Sequence, residues 1–396
     1  MNDPWPAFAA AADGAETAGF FERRGPGAAD GSATFFRRAE RTETLDPSSD
    51  VDALERSSAR FLRGGRSRAV VGYVGFDAVG LFEPALRRFP TGAPFPLGEL
   101  AYVADATTVR VPPRGIRTFR ALRPPPRPLR DSGPLPRFGT SVRRLVAAIV
   151  AGEAFQVVLA HRREWPRPND LLARAGRLRA SEEFAFFYYL RFGDREIVCA
   201  SPESVVELAG RSATVNPIAG TMPTGPGARA LPLHRDPKEL SEHRMLVDLA
   251  RNDLGRVART GSVRVLERER RVRYARLEHL VSRVGATVRP GIGPWGLLAA
   301  TFPAGTVSGA PKIRATELLR AEERSWRGPY AGAVGCLRPG DRAEFALAIR
   351  TGFAAHRRLY TAAGAGIVHR SSPRREFRET LAKLAHVESV LAGDAR

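Results

Sequence analysis

The chain has 396 residues, enough for one large core or for two to three domain-sized units, and its 43% hydrophobic and 26% charged residues are ordinary for a soluble globular protein. With Cys199 and Cys336 as its only cysteines and no run approaching eighteen apolar residues, it has no disulfide framework, no CxxC zinc site and no membrane span. The net charge of +20 admits a basic nucleic-acid-binding protein, but the cations are spread along the chain and form no stripe with interleaved aromatics, so an arginine-favouring genome is the preferred reading.

Met1 to Gly19 carries Asp3, Asp13 and Glu16 and no cation, the wrong pattern for a secretory signal, and a cytoplasmic protein is expected. Gly19–Arg23 and Ala33–Arg37 read as short strands, and Ala69–Asp77 as a buried strand or strand pair. Residues 121–138 are proline-rich and are expected to be a linker, neither helix nor central strand. It separates an N-terminal region, 1–120, from a catalytic region, 139–396. Ser141–Gly152 has helical spacing, with Ser141 as N-cap and Gly152 as the stop. Phe155–Arg162, Phe184–Arg191 and Ile197–Ala200 look like strands. Glu203, at the end of the last, reads as a turn carboxylate or as a buried general acid with a raised pKa.

Asp236 caps a helix reaching about Leu254, with Pro237 in its first position and Glu239 and Glu242 one turn apart. A second helix repeats the plan, with Ser372 as cap, Pro373, then Glu376 and Glu379. Two such pairs suit a Mg²⁺ site, whereas capping and solvated faces are the plainer reading of each alone. Only three of the 62 cations are lysine, and Lys238 and Lys383 lie beside these pairs, with Lys312 at a glycine and hydroxyl stretch, Gly305–Lys312. That stretch, Pro217–Thr221 and Ala362–Val368 read as glycine loops able to cradle an anion. His279 lies in an apolar stretch and by default is structural.

In this order the segments resemble the chorismate-utilising enzymes, most closely the large subunit of anthranilate synthase. The resemblance rests on AGEAFQVVLAHR (151–162), ASPE (200–203), PIAGT (217–221), DPKELSEHRMLVDLARNDLGRV (236–257), LEHLVS (277–282), FPAGTVSGAPKIRATELL (302–319), GPYAGAVG (328–335), AIRT (348–351), AGAGIV (363–368) and ETLAK (379–383). It covers about 140 to 396 and is weaker before, where GYVGFDAV (72–79) matches best. It implies an α+β fold of two large packed antiparallel β-sheets surrounded by helices, and an enzyme using Mg²⁺ and chorismate. Glu242 and Glu379 would ligate the metal, supported by Glu239 and Glu376. Gly220, Thr221, Thr306, Arg350 and the amides of Gly364, Ala365 and Gly366 would bind substrate, and Cys336 stands where a tyrosine near the substrate is usual. Glu203 would be the general acid for the C4 hydroxyl, and His279 would assist pyruvate release.

Members of the family that add water carry a lysine at the place of Gln156, and aminodeoxychorismate synthases carry a lysine nucleophile at Ala219. Their absence implies ammonia as nucleophile and anthranilate as product, with aminodeoxychorismate or 2-amino-2-deoxyisochorismate formation as the alternative. No glutaminase elbow is present, so a separate glutaminase subunit is expected to supply ammonia. Met222 and Thr224 replace arginines that are common after PIAGT. Ala180–Ala185 replaces the NPSPYM-like segment, and Phe20–Arg23 the LLES-like segment, of tryptophan-regulated enzymes. Tryptophan feedback is therefore not expected.

Overall fold

Strands rich in aromatic and β-branched residues assemble into two antiparallel ten-stranded sheets. The computed structural model describes residues 3–24, 31–111, 125–223, 235–274 and 277–393, with the backbone alone at 219–223, 238, 273, 274 and 277. From edge to edge, the first sheet runs through 309–310, 156–166, 358–367, 351–355, 195–201, 186–192, 17–24, 31–36 and 107–111. The second runs through 218–223, 277–287, 212–215, 204–209, 342–347, 333–338, 69–74, 98–103 and 41–45. Two further strands, 130–131 and 264–274, pair with 156–166 and 277–287. The region before residue 112 thus supplies three strands to each sheet and shares one apolar core with the rest. The expected α+β architecture of two packed antiparallel sheets is what the chain adopts.

Helices cover the outer faces. Pro373–Leu391 packs on the 358–367 strand and against the helices Leu135–Val150 and Leu171–Ser181. Pro237–Gly255 packs on 218–223 and 277–287 of the other sheet. Its start follows the sequence: the Glu239 N–H donates to Asp236 Oδ1 at 3.4 Å and the Leu240 N–H to the Asp236 carbonyl at 3.0 Å.

Two features of the topology make the site. The chain leaves the first sheet at Ser201 and enters the second at Ser204. It returns from the second at Leu347 to the first at Thr351. These crossings lie side by side: the Leu347 N–H donates to the Glu203 carbonyl at 3.0 Å, and the Ala200 N–H to the Arg350 carbonyl at 3.3 Å.

Several local expectations are corrected. The proline-rich stretch is not linker throughout: Arg130–Asp131 pairs at a sheet edge, and the helix starts at Leu135, with Pro134 as N-cap and Pro136 in the first turn. A proline in a first turn lacks only an N–H that the helix leaves unpaired anyway. Ser141 is therefore a buried interior residue, while Gly152 does follow the helix, with φ +85°. Residues 121–124 lie outside the described chain. Gly305–Ser308 is a helical turn, Gly309–Ala310 pairs with 156–157, and Lys312 already begins a helix. Ala362–Ile367 is strand rather than loop, because alternating small residues pair with 157–162. At Ser372 the hydroxyl makes no cap; the Glu376 carboxylate accepts the Ser372 N–H at 3.4 Å instead.

Candidate active site

Glu203 sits in the two-residue link between the sheets, and its side chain is buried. Ser201 holds the link rigid: its Oγ accepts the Glu203 N–H at 3.2 Å and donates to the Glu203 carbonyl at 3.1 Å. One carboxyl oxygen, Oε1, accepts a hydrogen bond from Thr306 Oγ1 at 2.8 Å. Burial pushes the carboxyl up to about 8, against the opposing effects of the Thr306 bond and the Lys383 ammonium. At neutral pH the group is protonated and can donate, as a general acid must.

The elements around it are pinned. Thr306 lies on the 305–308 turn, beside Val307, whose carbonyl accepts from Arg327 Nη1 at 2.7 Å. The same buried guanidinium donates to the Val158 carbonyl at 2.7 Å and pairs with Glu323 at 2.5 Å, tying that turn to the 156–166 strand. Lys383 Nζ donates to the Gly364 carbonyl at 2.9 Å and pairs with Glu379 at 2.8 Å, which fastens the last helix to the 358–367 strand. The Gly364 N–H meets the hydroxyl of Tyr330, a buried side chain whose phenol is pushed up to about 12 by burial. Tyr330 was missed in the sequence, although it is the tyrosine of the matched GPYAGAVG stretch. At Gly366 an added Cβ would lie 2.4 Å from Gln156 Nε2, so any larger residue would push the Gln156 amide aside. Gln156 thereby lies across this strand, and its Oε1 is buried without a hydrogen-bond partner among the described residues.

Glu203, Thr306, Tyr330, Gly364, Gly366 and Gln156 are thus linked pairwise, with the half-exposed Lys383 of the last helix reaching the Gly364 carbonyl from outside. Ala365 is buried within the same strand. His279 lies two strands away in the second sheet, buried, opposite a bulge of the 218–223 strand. Ala219 faces Leu280 and Met222 faces Glu278, so Gly220 and Thr221 together oppose His279. The side chains of Ala219, Gly220, Thr221 and Met222, and all of Thr224, lie outside the described parts of the chain.

Arg350 stands at the returning crossover with φ +51°, and its Nη1 donates to Glu182 Oε1 at 2.8 Å. Cys336 is not brought to this cluster. Its strand carries it six residues beyond Tyr330 into the space between the sheets, where the fully buried thiol lies beside Thr34, Arg338 and Glu344 and is pushed up to about 11 by burial.

The four glutamates lie on two helices that border the cluster. Glu239 and Glu242 are in the first turns of Pro237–Gly255, which packs on the bulged strand and on the 305–308 turn. Glu376 and Glu379 are in the first turns of Pro373–Leu391. Glu376 is buried and pairs with Arg375 at 3.1 Å. Among the described residues no three His, Cys, Asp or Glu side chains converge as a ready cluster. Two carboxylate pairs supply hard oxygen donors only, and that chemistry fits a magnesium ion and not a softer metal. Lys312 proves structural: it pairs with Asp253 at 2.8 Å and donates to the Thr301 carbonyl at 3.0 Å. The side chain of Lys238 lies outside the described chain.

The family described as chorismate binding enzyme matches residues 119–389. Anthranilate synthase component 1 of Streptomyces coelicolor is 39% identical over 364 residues, covering 79% of this chain and 71% of the relative. The 2-amino-4-deoxychorismate synthase of Streptomyces globisporus is 40% identical over 265 residues, covering 65% of this chain and 53% of the relative, so the alignment spans about half of that protein. The crystal structure of anthranilate synthase component I from Streptococcus pneumoniae superposes with a TM-score of 0.79 at 28% identity, over 91% of this chain and 92% of that one.

Proposed function

We infer the reaction from the premise that this chain belongs to the family of chorismate binding enzymes. It aminates chorismate with ammonia at C2 and then eliminates pyruvate to give anthranilate. The observation that carries this reading is the placement of Glu203, a buried carboxyl hydrogen-bonded by Thr306 at the crossing between the sheets, where burial pushes it up to about 8. As ammonia forms the bond to C2, both ring double bonds shift, from C1=C2 to C1=C6 and from C5=C6 to C4=C5, and Glu203 gives its proton to the C4 hydroxyl, which leaves as water. The proton released from the new ammonium returns the carboxylate to its acid form. In the second half the C2 proton is lost, the bond from C3 to the enolpyruvyl oxygen breaks, the departing enolpyruvate takes up a proton to become pyruvate, and the ring becomes aromatic. His279, opposite the Gly220–Thr221 bulge, is assigned to that step.

Magnesium, when bound, would neutralise and hold the ring carboxylate, with Glu242 and Glu379 as ligands and Glu239 and Glu376 in support. Arg350 is assigned the other carboxylate, for which a planar guanidinium is suited. Gln156 decides the nucleophile: an amide cannot deprotonate water, but its unpartnered Oε1 can accept a hydrogen bond from ammonia. Ala219 offers no amine for a covalent adduct. The relatives named component 1 support a separate glutaminase subunit as the ammonia source.

The test is to incubate the purified chain with chorismate, Mg²⁺ and ammonium salt and to measure anthranilate fluorescence with coupled pyruvate release. Both signals are expected, and neither should appear with glutamine alone. The relative named 2-amino-4-deoxychorismate synthase favours a second reading, in which the chain stops before elimination. Chorismate consumption without pyruvate would select it.

A further inference from the structure

The segment 180–185, which the assigned chemistry leaves unused, meets the site at Arg350. Glu182 ends the helix Leu171–Ser181 and is fixed there by its N–H, which donates to the Leu178 carbonyl at 3.1 Å. Its Oε1 accepts from Arg350 Nη1 at 2.8 Å, and its Oε2 lies 3.6 Å from His386 Nε2. His386 in turn bonds Ser181 Oγ at 3.0 Å. The Glu182 and Arg350 side chains are largely buried, at 18% and 24% exposure. His386 follows Lys383 by three residues on the same helix, so the residue that reaches Gly364 and the one that reaches Glu182 share a face. The Glu182–Arg350 pair therefore stands one helical turn along from Lys383.

We propose that Glu182 is a positioning residue: it holds Arg350 by Nη1 alone, so that the Nη2–Nε edge of the guanidinium is presented to a carboxylate of the substrate. The backbone of Arg350 is already fixed by its crossover, with φ +51° and its carbonyl bonded to the Ala200 N–H. What remains free is the long side chain, and an arginine loses binding strength when its fork must be ordered at the moment of association. Glu182 orders it beforehand, and His386 with Ser181 fixes Glu182. The proposal rests on the reading of the chain as a chorismate enzyme, and it adds a residue that acts through Arg350 without itself touching the substrate.

The experiment compares wild type, Glu182→Ala and Glu182→Gln in steady-state turnover of chorismate with Mg²⁺ and ammonium, alongside thermal unfolding. Glu182→Ala is expected to raise KM for chorismate about tenfold while kcat stays within about twofold, the pattern of lost uniform binding. Glu182→Gln keeps a carbonyl acceptor for Nη1 and is expected to raise KM by only about threefold. The melting temperatures of both should stay close to that of wild type. An unchanged KM in the alanine variant would overturn the proposal. So would a lowered KM, which would make Glu182 a competitor of the substrate for Arg350. A loss of kcat and melting temperature together, in both variants, would make the pair merely structural. Failure of the wild-type chain to consume chorismate would sink the functional reading and this role with it, whereas wild-type turnover with unaltered variants would sink the role alone.

Discussion

Replacing Glu203 by glutamine isolates what its proton does. The amide has the same shape, and its oxygen can still accept the Thr306 hydroxyl now 2.8 Å from Oε1, so the fold should survive. Loss of a general acid of this kind costs about 10²- to 10⁴-fold in kcat. The pH profile supplies the second readout. In wild type the acid is lost as the carboxyl ionises, so kcat/KM should fall as pH rises through about 8. Stability follows the same proton. The carboxyl is raised from its ordinary 4.5, so its contribution is fully present below that value and is lost as pH rises towards 8. Over that window the native state holds a proton that the unfolded chain has released, and each pH unit removes about 1.4 kcal/mol. Glutamine does not ionise, so Glu203→Gln should show a flatter dependence of melting temperature on pH. A variant retaining more than about a tenth of wild-type kcat, or a wild-type profile flat through pH 8, would refute the reasoning.

Further outcomes follow from the same geometry. Thr306→Val removes a donor that favours the ionised carboxyl, so the alkaline limb of kcat/KM should move upward in pH. Gln156→Leu deletes a buried acceptor without a partner, so stability should hold or rise by about 1 kcal/mol while ammonia-dependent turnover falls, read by urea titration and product formation. Chelation with EDTA should abolish turnover and added Mg²⁺ restore it, and Glu379→Gln should raise the Mg²⁺ concentration needed. L-Tryptophan should leave the rate unchanged. Arg23 of the Phe20–Arg23 segment reaches between the sheets to Glu207 at 2.6 Å and Glu344 at 3.4 Å, and Arg338 pairs with the same Glu344, so that space is filled by ion pairs.

Much of the site was legible because its chemistry is carried by short ordered stretches. Asp236 with Pro237 marks a helix start by physics that acts within four residues, and the Glu239 and Glu242 positions follow from it. Glu203 could be singled out as the carboxyl after a buried strand, but its burial could not, because that depends on the chain crossing from one sheet to the other at Pro202. Periodicity shows that a segment is a strand and not which sheet receives it. The same blindness turned Ala362–Ile367 into a loop. Glycine and alanine mark turns locally, yet here they thin a strand so that Gln156 can lie across it. Ser372 makes no side-chain cap, and it is the Glu376 carboxylate, one turn on, that accepts its N–H. The resemblance puts Cys336 where a tyrosine near the substrate is usual; here its strand carries it away from Tyr330 into the packed intersheet core. The link from Arg350 to Glu182 spans 168 residues, and nothing local in the sequence announces it.

The central claim is that this site joins ammonia, and not water, to chorismate. It is tested most directly by running the reaction with ¹⁵N-labelled ammonium in ¹⁸O-labelled water and weighing the product. The account predicts one labelled nitrogen, no labelled oxygen on the ring, and release of pyruvate. A product carrying ¹⁸O on the ring and no ¹⁵N would show that Gln156 does not select the nucleophile and would contradict the account.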